Sequence, residues 1–438
     1  MKRCRRSATE RIQTSSSSKE EAEQLLPTRW KDGRMNEANI VPLAFVIRAL
    51  IAVPFVPSME DLSEHTLALR RALEDCRCIE SVASIPIVTT PDRSQSYRTF
   101  WQQHPIEIEV LDNFQSLTPD DFRKRFQHAN LPCLIRNCEF GTVVDALWKD
   151  PIARRHWMRQ HVTTPVPVRV QAGEGVLDAD GRANECETKH MTMSEWIEIL
   201  DGGCESLYLK DWHLQLHVDE TLYEVPPHLG YDLWNAFLLK YTQGDYRFVY
   251  WGPAGSTTTR HSDVLHSFSW SYNVNGVKRW TFFGPDEQTF QVIQQAGECL
   301  FVPATWQHEV VNLRETISIN HNWITVANLD LAWDCLVQEM SLIEEELRGF
   351  GVEDWEAREN MLRGCCGLDV SSFFLMVLTR IAEFSSSDDN DSTDLCILRH
   401  ALTRVTEACN LEERLAASLA STSMAADAMQ ILSLVLGS

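Results

Sequence analysis

The sequence lacks three things: a Cys-x-x-Cys pair, a long uninterrupted apolar run and a surplus of basic charge. Its 13 cysteines are odd in number and mostly scattered among apolar residues; only Cys76 with Cys78 and Cys365 with Cys366 fall close together. That pattern gives no disulfide framework and no zinc cluster, so reduced, buried thiols in the cytosol or nucleus are expected. The most apolar stretch, residues 40–56, is broken by Pro42, Arg48 and Pro54 and is too short to span a membrane. The basic N-terminus "MKRCRRSATER" is followed by no apolar signal core. Acids outnumber bases by 62 to 40, a formal charge of -22. Such a surface repels phosphate backbones, which argues against direct nucleic-acid binding over a broad face and suits a basic protein partner.

What is present is a globular composition. Hydrophobic residues make up 44% of the 438, with 14 Trp and 18 Phe, enough for a large core. Residues 1–38 are polar and serine-rich and read as disordered, and 58–80 reads as a helix. All of 1–100 is expected to be a poorly ordered or atypical extension. From about 107 the texture changes. "IEIEVLD" alternates like a strand, "LPCLIRN" reads as a buried strand, and "SLYLKDWHL" is strand-like. "SLTPDDFRKRFQ" opens a helix with a threonine cap and Pro119 at its first position. "TMSEWIEILDGG" is a helix ended by glycines. Residues 246–323 hold a dense series of short strands and turns, the pattern of a sandwich, jelly roll or barrel. From 329 to the end the period is helical, with Leu336, Met340, Ile343 and Leu347 on one face and a polar linker at 384–394.

Two His-x-Asp pairs occur. His217 with Asp219 sits in a polar stretch between elements and reads as an exposed loop pair. His261 with Asp263 opens the segment "HSDVLHSFSWSYNVNGVKRW". There Val274-Asn275-Gly276-Val277 fits a two-residue hairpin turn, which would set Asn273 opposite Lys278. Phe268, Trp270, Tyr272 and Val274 share one strand face, and Ser269, Ser271 and Asn273 the other. "TISINHNW" repeats the habit, with Ser318, Asn320 and Asn322 opposite Ile317, Ile319, His321 and Trp323. Small polar residues on both strands suit the inside of a small barrel. His308 begins a strand after "CLFVPATWQ". Two histidines and one carboxylate, His261, Asp263 and His308, form the donor set of non-haem Fe(II) oxygenases. Lys278 on the polar face would pair with the distal carboxylate of 2-oxoglutarate.

These segments, with "LYLKDWHL" and "YRFVYWGPAGS", resemble the JmjC-domain 2-oxoglutarate oxygenases over roughly residues 105 to 380. The resemblance implies a mainly β fold, a double-stranded β-helix, with the N-terminal part of the oxygenase fold at 101–245, the catalytic core at 246–328 and a C-terminal helical region. It implies Fe(II), 2-oxoglutarate and dioxygen as cofactors. It matches His261, Asp263 and His308 to the iron ligands, and Lys278, Thr258 and Tyr208 to the groups that hold 2-oxoglutarate. Asn322 matches an asparagine near cosubstrate and metal, and Ser271 is placed in the pocket wall. The similarity is to the branch that hydroxylates a lysine of a translation termination factor, which implies a cytoplasmic protein, with the nucleus as second location, and leaves oligomeric state open. N-methyl-lysine demethylation is the alternative within the chemistry. Only 47 positions separate His261 from His308, where family members carry a longer insert. A missing strand there would leave a binding protein that keeps the oxygenase fold without turnover.

Overall fold

The computed structural model describes residues 93–409 apart from 104, 142, 172–187, 352–354 and 386–391. The helix expected at 58–80, the apolar run at 40–56 and most of the polar linker lie outside the described residues. The chain divides into a β-rich unit, Ile87–Leu331, and a unit that includes Ala332–Ser438.

Thirteen strands build the first unit among the described residues. They are β1 (Glu109–Leu111), β2 (Cys133–Ile135), β3 (Val166–Val170), β4 (Thr188–Met191), β5 (Leu207–Trp212), β6 (Arg247–Gly252), β7 (Thr257–His261), β8 (Phe268–Asn275), β9 (Lys278–Phe283), β10 (Thr289–Gln294), β11 (Glu298–Val302), β12 (Gln307–Asn312) and β13 (Thr316–Trp323). Nine form one sheet in the order β1-β2-β11-β8-β13-β6-β5-β3-β4, and four form another in the order β10-β9-β12-β7. From β6 onward the chain passes back and forth between the two sheets. The quartet β11-β8-β13-β6 and the quartet β10-β9-β12-β7 together make the double-stranded β-helix.

Alternation on β8 and β13 explains why two sheets are needed. Phe268, Trp270, Tyr272, Val274, Ile317, Ile319 and Trp323 point to one side and join the main core. The other side pairs Ser269 with Asn322, Ser271 with Asn320 and Asn273 with Ser318. These six polar residues are all buried, so a second layer must cover them. An antiparallel sheet with one wet face would leave them in solvent. An apolar cluster fills another part of the space between the sheets: Trp280, Phe282, Phe290, Val292, Leu300, Val302 and Trp306 meet Phe100 and Trp101 of the helix Arg93–Trp101.

The expected hairpin is not formed. β8 pairs with β11 and β13, and β9 pairs with β10 and β12, so the two strands belong to different sheets. Both edges of each strand are already taken. The Asn-Gly turn is therefore a crossing between layers, and only Gly276 in it has positive φ, at 96°. Lys278 still reaches the polar face, but across the gap between sheets rather than across a ladder. The short path to His308 has removed no core strand either. A single turn at Pro285–Glu287 joins β9 to β10, and these pair from Phe283 with Thr289 to Lys278 with Gln294.

The helical expectations hold at their ends. Thr118 caps the helix starting at Pro119 by accepting the Asp121 amide, and Thr192 with Glu195 forms a capping box on Met193–Asp201. In the second unit Leu336, Met340, Ile343 and Leu347 are buried along Leu329–Gly349, and Trp333 packs on Phe373 of Val370–Ser385. No single helix among the described residues is long and apolar enough to cross a membrane. The described cysteines are free thiols.

The layer crossing is a point of predicted fragility. A Cβ on Gly276 would lie 2.3 Å from the Glu315 carbonyl oxygen and 2.4 Å from Thr316 Oγ1. Gly276→Ala therefore combines left-handed strain with a clash and should cost about 2–4 kcal/mol. Gly297→Ala, with φ +80 but open space around it, should cost about 1 kcal/mol. Urea midpoints of the two variants would separate these effects.

Candidate metal centre

Strand register builds the site. His261 ends β7 and is paired with His308 of β12, so the two rings meet at 4.4 Å between centroids. Asp263 follows just past the strand end, with Oδ1 4.0 Å from His261 Nε2. One ligand atom from each of the three residues lies within 4.8 Å of the others.

The backbone fixes which nitrogens are available. His261 Nδ1 is 2.7 Å from the Thr259 carbonyl oxygen, and His308 Nδ1 is 3.1 Å from that of Trp306. A carbonyl can only accept, so each Nδ1 donates, and each Nε2 is the ring nitrogen left to face a metal. Burial, with the nearby His261, pushes His308 down to about 4, so its ring is neutral at physiological pH. Ser269 donates to Asp263 Oδ2 at 2.6 Å and holds that carboxylate in place. Two imidazoles and one carboxylate without thiolate, gathered at one cavity, fit Fe(II) with positions left open.

The triad opens into a narrow cleft, partly open to solvent and walled by both sheets. Lys278 stands inside it and is 1% exposed. Its Nζ donates to Ser318 Oγ at 2.6 Å, and no carboxylate among the described residues pairs with it. Burial alone lowers its pKa to about 7. An ammonium buried without a counter-charge is costly, and a carboxylate placed against it removes that cost. The residues present thus fit 2-oxoglutarate as well as iron.

Thr258, Tyr208 and Asn322 also line the cleft. The Tyr208 hydroxyl lies beside Asn312 and Thr258, and burial raises it well above the ordinary phenol range. Asn322 donates to Ser267 Oγ at 3.1 Å. Ser271 is buried on the same strand face but does not line the cleft; Ser269 does. Asn320, Tyr250, Trp280 and Val310 complete the lining beyond the residues read from sequence. Asn320 carried a signal, the polar face of β13. Tyr250 and Trp280 carried none, because aromatic residues in strands read as core. His217 and Asp219 are exposed, as loop residues should be.

His308→Ala removes one donor and leaves a buried hole beside His261. Fe(II) affinity should fall at least 100-fold, read by metal titration of the purified protein with Co(II) as a spectroscopic stand-in. Retention of wild-type affinity would show that the three residues do not form the metal site.

No protein-family model matches the chain. The 2-oxoglutarate and iron-dependent oxygenase JMJD4 of Danio rerio is 32% identical over 359 residues, covering 70% of this chain and 83% of that protein. The Homo sapiens protein of the same name is 32% identical over 317 residues, covering 62% and 75%. Arginine-specific demethylase JMJ20 of Arabidopsis thaliana is 33% identical over 334 residues, covering 62% and 69%. With this similarity, the double-stranded β-helix and the His261, Asp263 and His308 cluster, the chain belongs to the JmjC-domain 2-oxoglutarate and iron-dependent oxygenases, with Fe(II), 2-oxoglutarate and dioxygen as its cofactors.

Proposed function

We propose that this oxygenase hydroxylates a lysine side chain of a protein, a translation termination factor, in the cytoplasm. One observation carries the oxygenase chemistry: the triad and the uncompensated Lys278 ammonium line one cleft, with Lys278 on β9 beside the β12 strand that carries His308. The lysyl substrate is supported by the sequence resemblance and by the acidic balance of the chain, which suits a basic segment.

Bound iron and 2-oxoglutarate supply the oxidation of an unactivated C–H bond by dioxygen, with succinate and carbon dioxide as co-products. The chain's own residues position that chemistry. His261, His308 and Asp263 would hold the metal. Lys278, with Thr258 and Tyr208 beside it, anchors the far carboxylate of 2-oxoglutarate. Ser269 keeps Asp263 from rotating. Trp280 and Val310 keep part of the wall apolar and limit water. The open side of the cleft is left for the substrate side chain.

A second reading has its own support. The name of the Arabidopsis thaliana relative is that of an arginine-specific demethylase, and oxidation of an N-methyl group uses the same centre. A protein that only binds is disfavoured by the complete donor set and by the full set of core strands.

Protein purified without oxygen, then given Fe(II), 2-oxoglutarate, air and the termination factor, should form succinate and add one oxygen atom to a lysine, seen by peptide mass spectrometry. His261→Ala should do neither. Formaldehyde release from a methylated peptide, without oxygen gain on lysine, would replace this reading with demethylation.

Lys278 adds a pH signature. Its ammonium is present below about 7 and lost above it while the cleft holds no anion. Binding of the 2-oxoglutarate carboxylate needs the charged form, so proton uptake accompanies binding at higher pH. Its Kd should rise about tenfold per pH unit above 7, measured by calorimetry in buffers of different ionisation heat. A flat Kd between pH 7 and 9 would exclude Lys278 as the anchor.

A further inference from the structure

Strand β5 carries more than Tyr208. Its pairing with β6 slips between Leu209 and Trp212, and Asp211 in the bulge takes φ +57. Asp211 accepts the Tyr250 hydroxyl at 2.7 Å and pairs with Arg169 at 2.7 Å. Bulges of this kind re-aim the residues that follow. Here the chain delivers His213 against Phe248, with 4.8 Å between ring centroids. Phe248 and Tyr250 share one face of β6 at 6.2 Å, and Tyr250 is a wall of the cleft. Phe248 and His213 therefore continue that wall outward, both half-buried.

His213 is held from behind. Its Nδ1 is 2.7 Å from Asp245 Oδ1, and Arg247 Nε donates to Asp245 Oδ2 at 2.7 Å. The Asp245 side chain is fully buried, whereas that of His213 is 38% exposed. Burial raises the Asp245 carboxyl, and the His213 and Arg247 contacts outweigh it, so the group is held below its ordinary range and stays ionised. A carboxylate only accepts, so His213 Nδ1 donates to Asp245, and the tautomer this sets presents Nε2, on the other side of the ring, as the acceptor. Burying a carboxylate costs several kcal/mol unless it is paired. A histidine needs no such support merely to sit at a surface. The oxygenase chemistry uses none of these groups.

We infer that Phe248 and His213, oriented by Asp245, form a docking subsite for the basic segment that flanks the oxidised residue of the protein substrate. The inference rests on the cleft being an oxygenase centre that acts on a protein, and it concerns groups outside that cleft. The half-buried Phe248 ring offers an apolar seat for an aliphatic stem or a peptide plane. His213 Nε2 accepts an N–H from a backbone amide or a cationic side chain. Phe248 lies one two-residue strand step from Tyr250, about 7 Å, the repeat of an extended peptide. The contacted residue is thus a near neighbour of the target, one or two positions away. The formal charge of -22 on the whole chain favours a cationic segment as partner. Asp245 is a positioning residue, since it acts only through His213.

The test uses the full chain with a panel of basic peptides, each holding a central lysine or methylated arginine, and reads peptide-stimulated 2-oxoglutarate turnover. For any peptide that stimulates, His213→Ala and Phe248→Ala should raise the peptide KM at least tenfold relative to the KM for 2-oxoglutarate. His213→Gln keeps an acceptor near the Nε2 position and should raise it by no more than about threefold. Asp245→Asn should fall between the two. His217→Ala, an exposed histidine of the same segment, should move neither KM. Hydroxylysine or formaldehyde as product decides the functional reading separately and leaves this outcome intact. Equal KM values in wild type and the His213 and Phe248 variants would overturn the inference. So would a wild-type protein that no basic peptide stimulates, or a parallel rise in both KM values, which would mark a structural role.

Discussion

One rung of one ladder organises this molecule: His261 of β7 opposite His308 of β12. Strand partners that face each other project to the same side, so the register alone brings two imidazoles together. A slip by one residue would turn one ring outward and abolish the donor set. The surrounding architecture keeps that register. β12 is flanked by β9 and β7, and the carbonyls of Thr259 and Trp306 lock the ring tautomers. Asp263 needs no strand of its own, because Ser269 on the opposite sheet reaches across to hold it. The centre is thus shared between two sheets, and its geometry depends on their spacing.

The same gap governs Lys278. A lysine in an apolar interior would surrender its proton or unfold its surroundings. Here the layer opposite supplies Ser318, and Asn320 and Asn322 continue the polar lining nearby. The ammonium keeps a hydrogen-bond acceptor but no counter-charge among the described residues, so burial lowers its pKa to about 7 and an incoming carboxylate restores the charged form. Polar residues on β8 and β13 therefore serve stability and ligand selection together. Replacing them by valines would suit the packing of a sandwich and remove the reason for the cleft.

Much of this was legible in the sequence, and the exceptions have physical causes. The serine and asparagine alternation on β8 and β13 announced a polar interior, and the histidine spacing announced the donor set. The Asn275-Gly276 pair misled, because local turn chemistry says nothing about which edges of a strand are already occupied. Lys278 came out on the correct face because both routes, across a ladder and across a gap, lead to the same interior. Tyr250 and Phe248 were invisible as site residues: an aromatic residue in a strand has one sequence appearance whether it is sealed or half-open. His213 gave no signal either, since its partner Asp245 lies 32 positions away and meets it only through the bulge in β5.

The helix Arg93–Trp101 has a consequence for where the folding unit begins. Its Trp101 ring would lie 2.4 Å from a Cβ on Gly284, close enough that only a glycine there lets the ring settle. Phe100 and Trp101 pack on Phe290 and Trp306 and complete the apolar cluster of the smaller sheet. A chain trimmed to its first strand would leave that cluster open, with indole and phenyl rings turned to water. The protein would keep every metal ligand and gain an adhesive patch, so its loss would register first as aggregation and only later as lost chemistry.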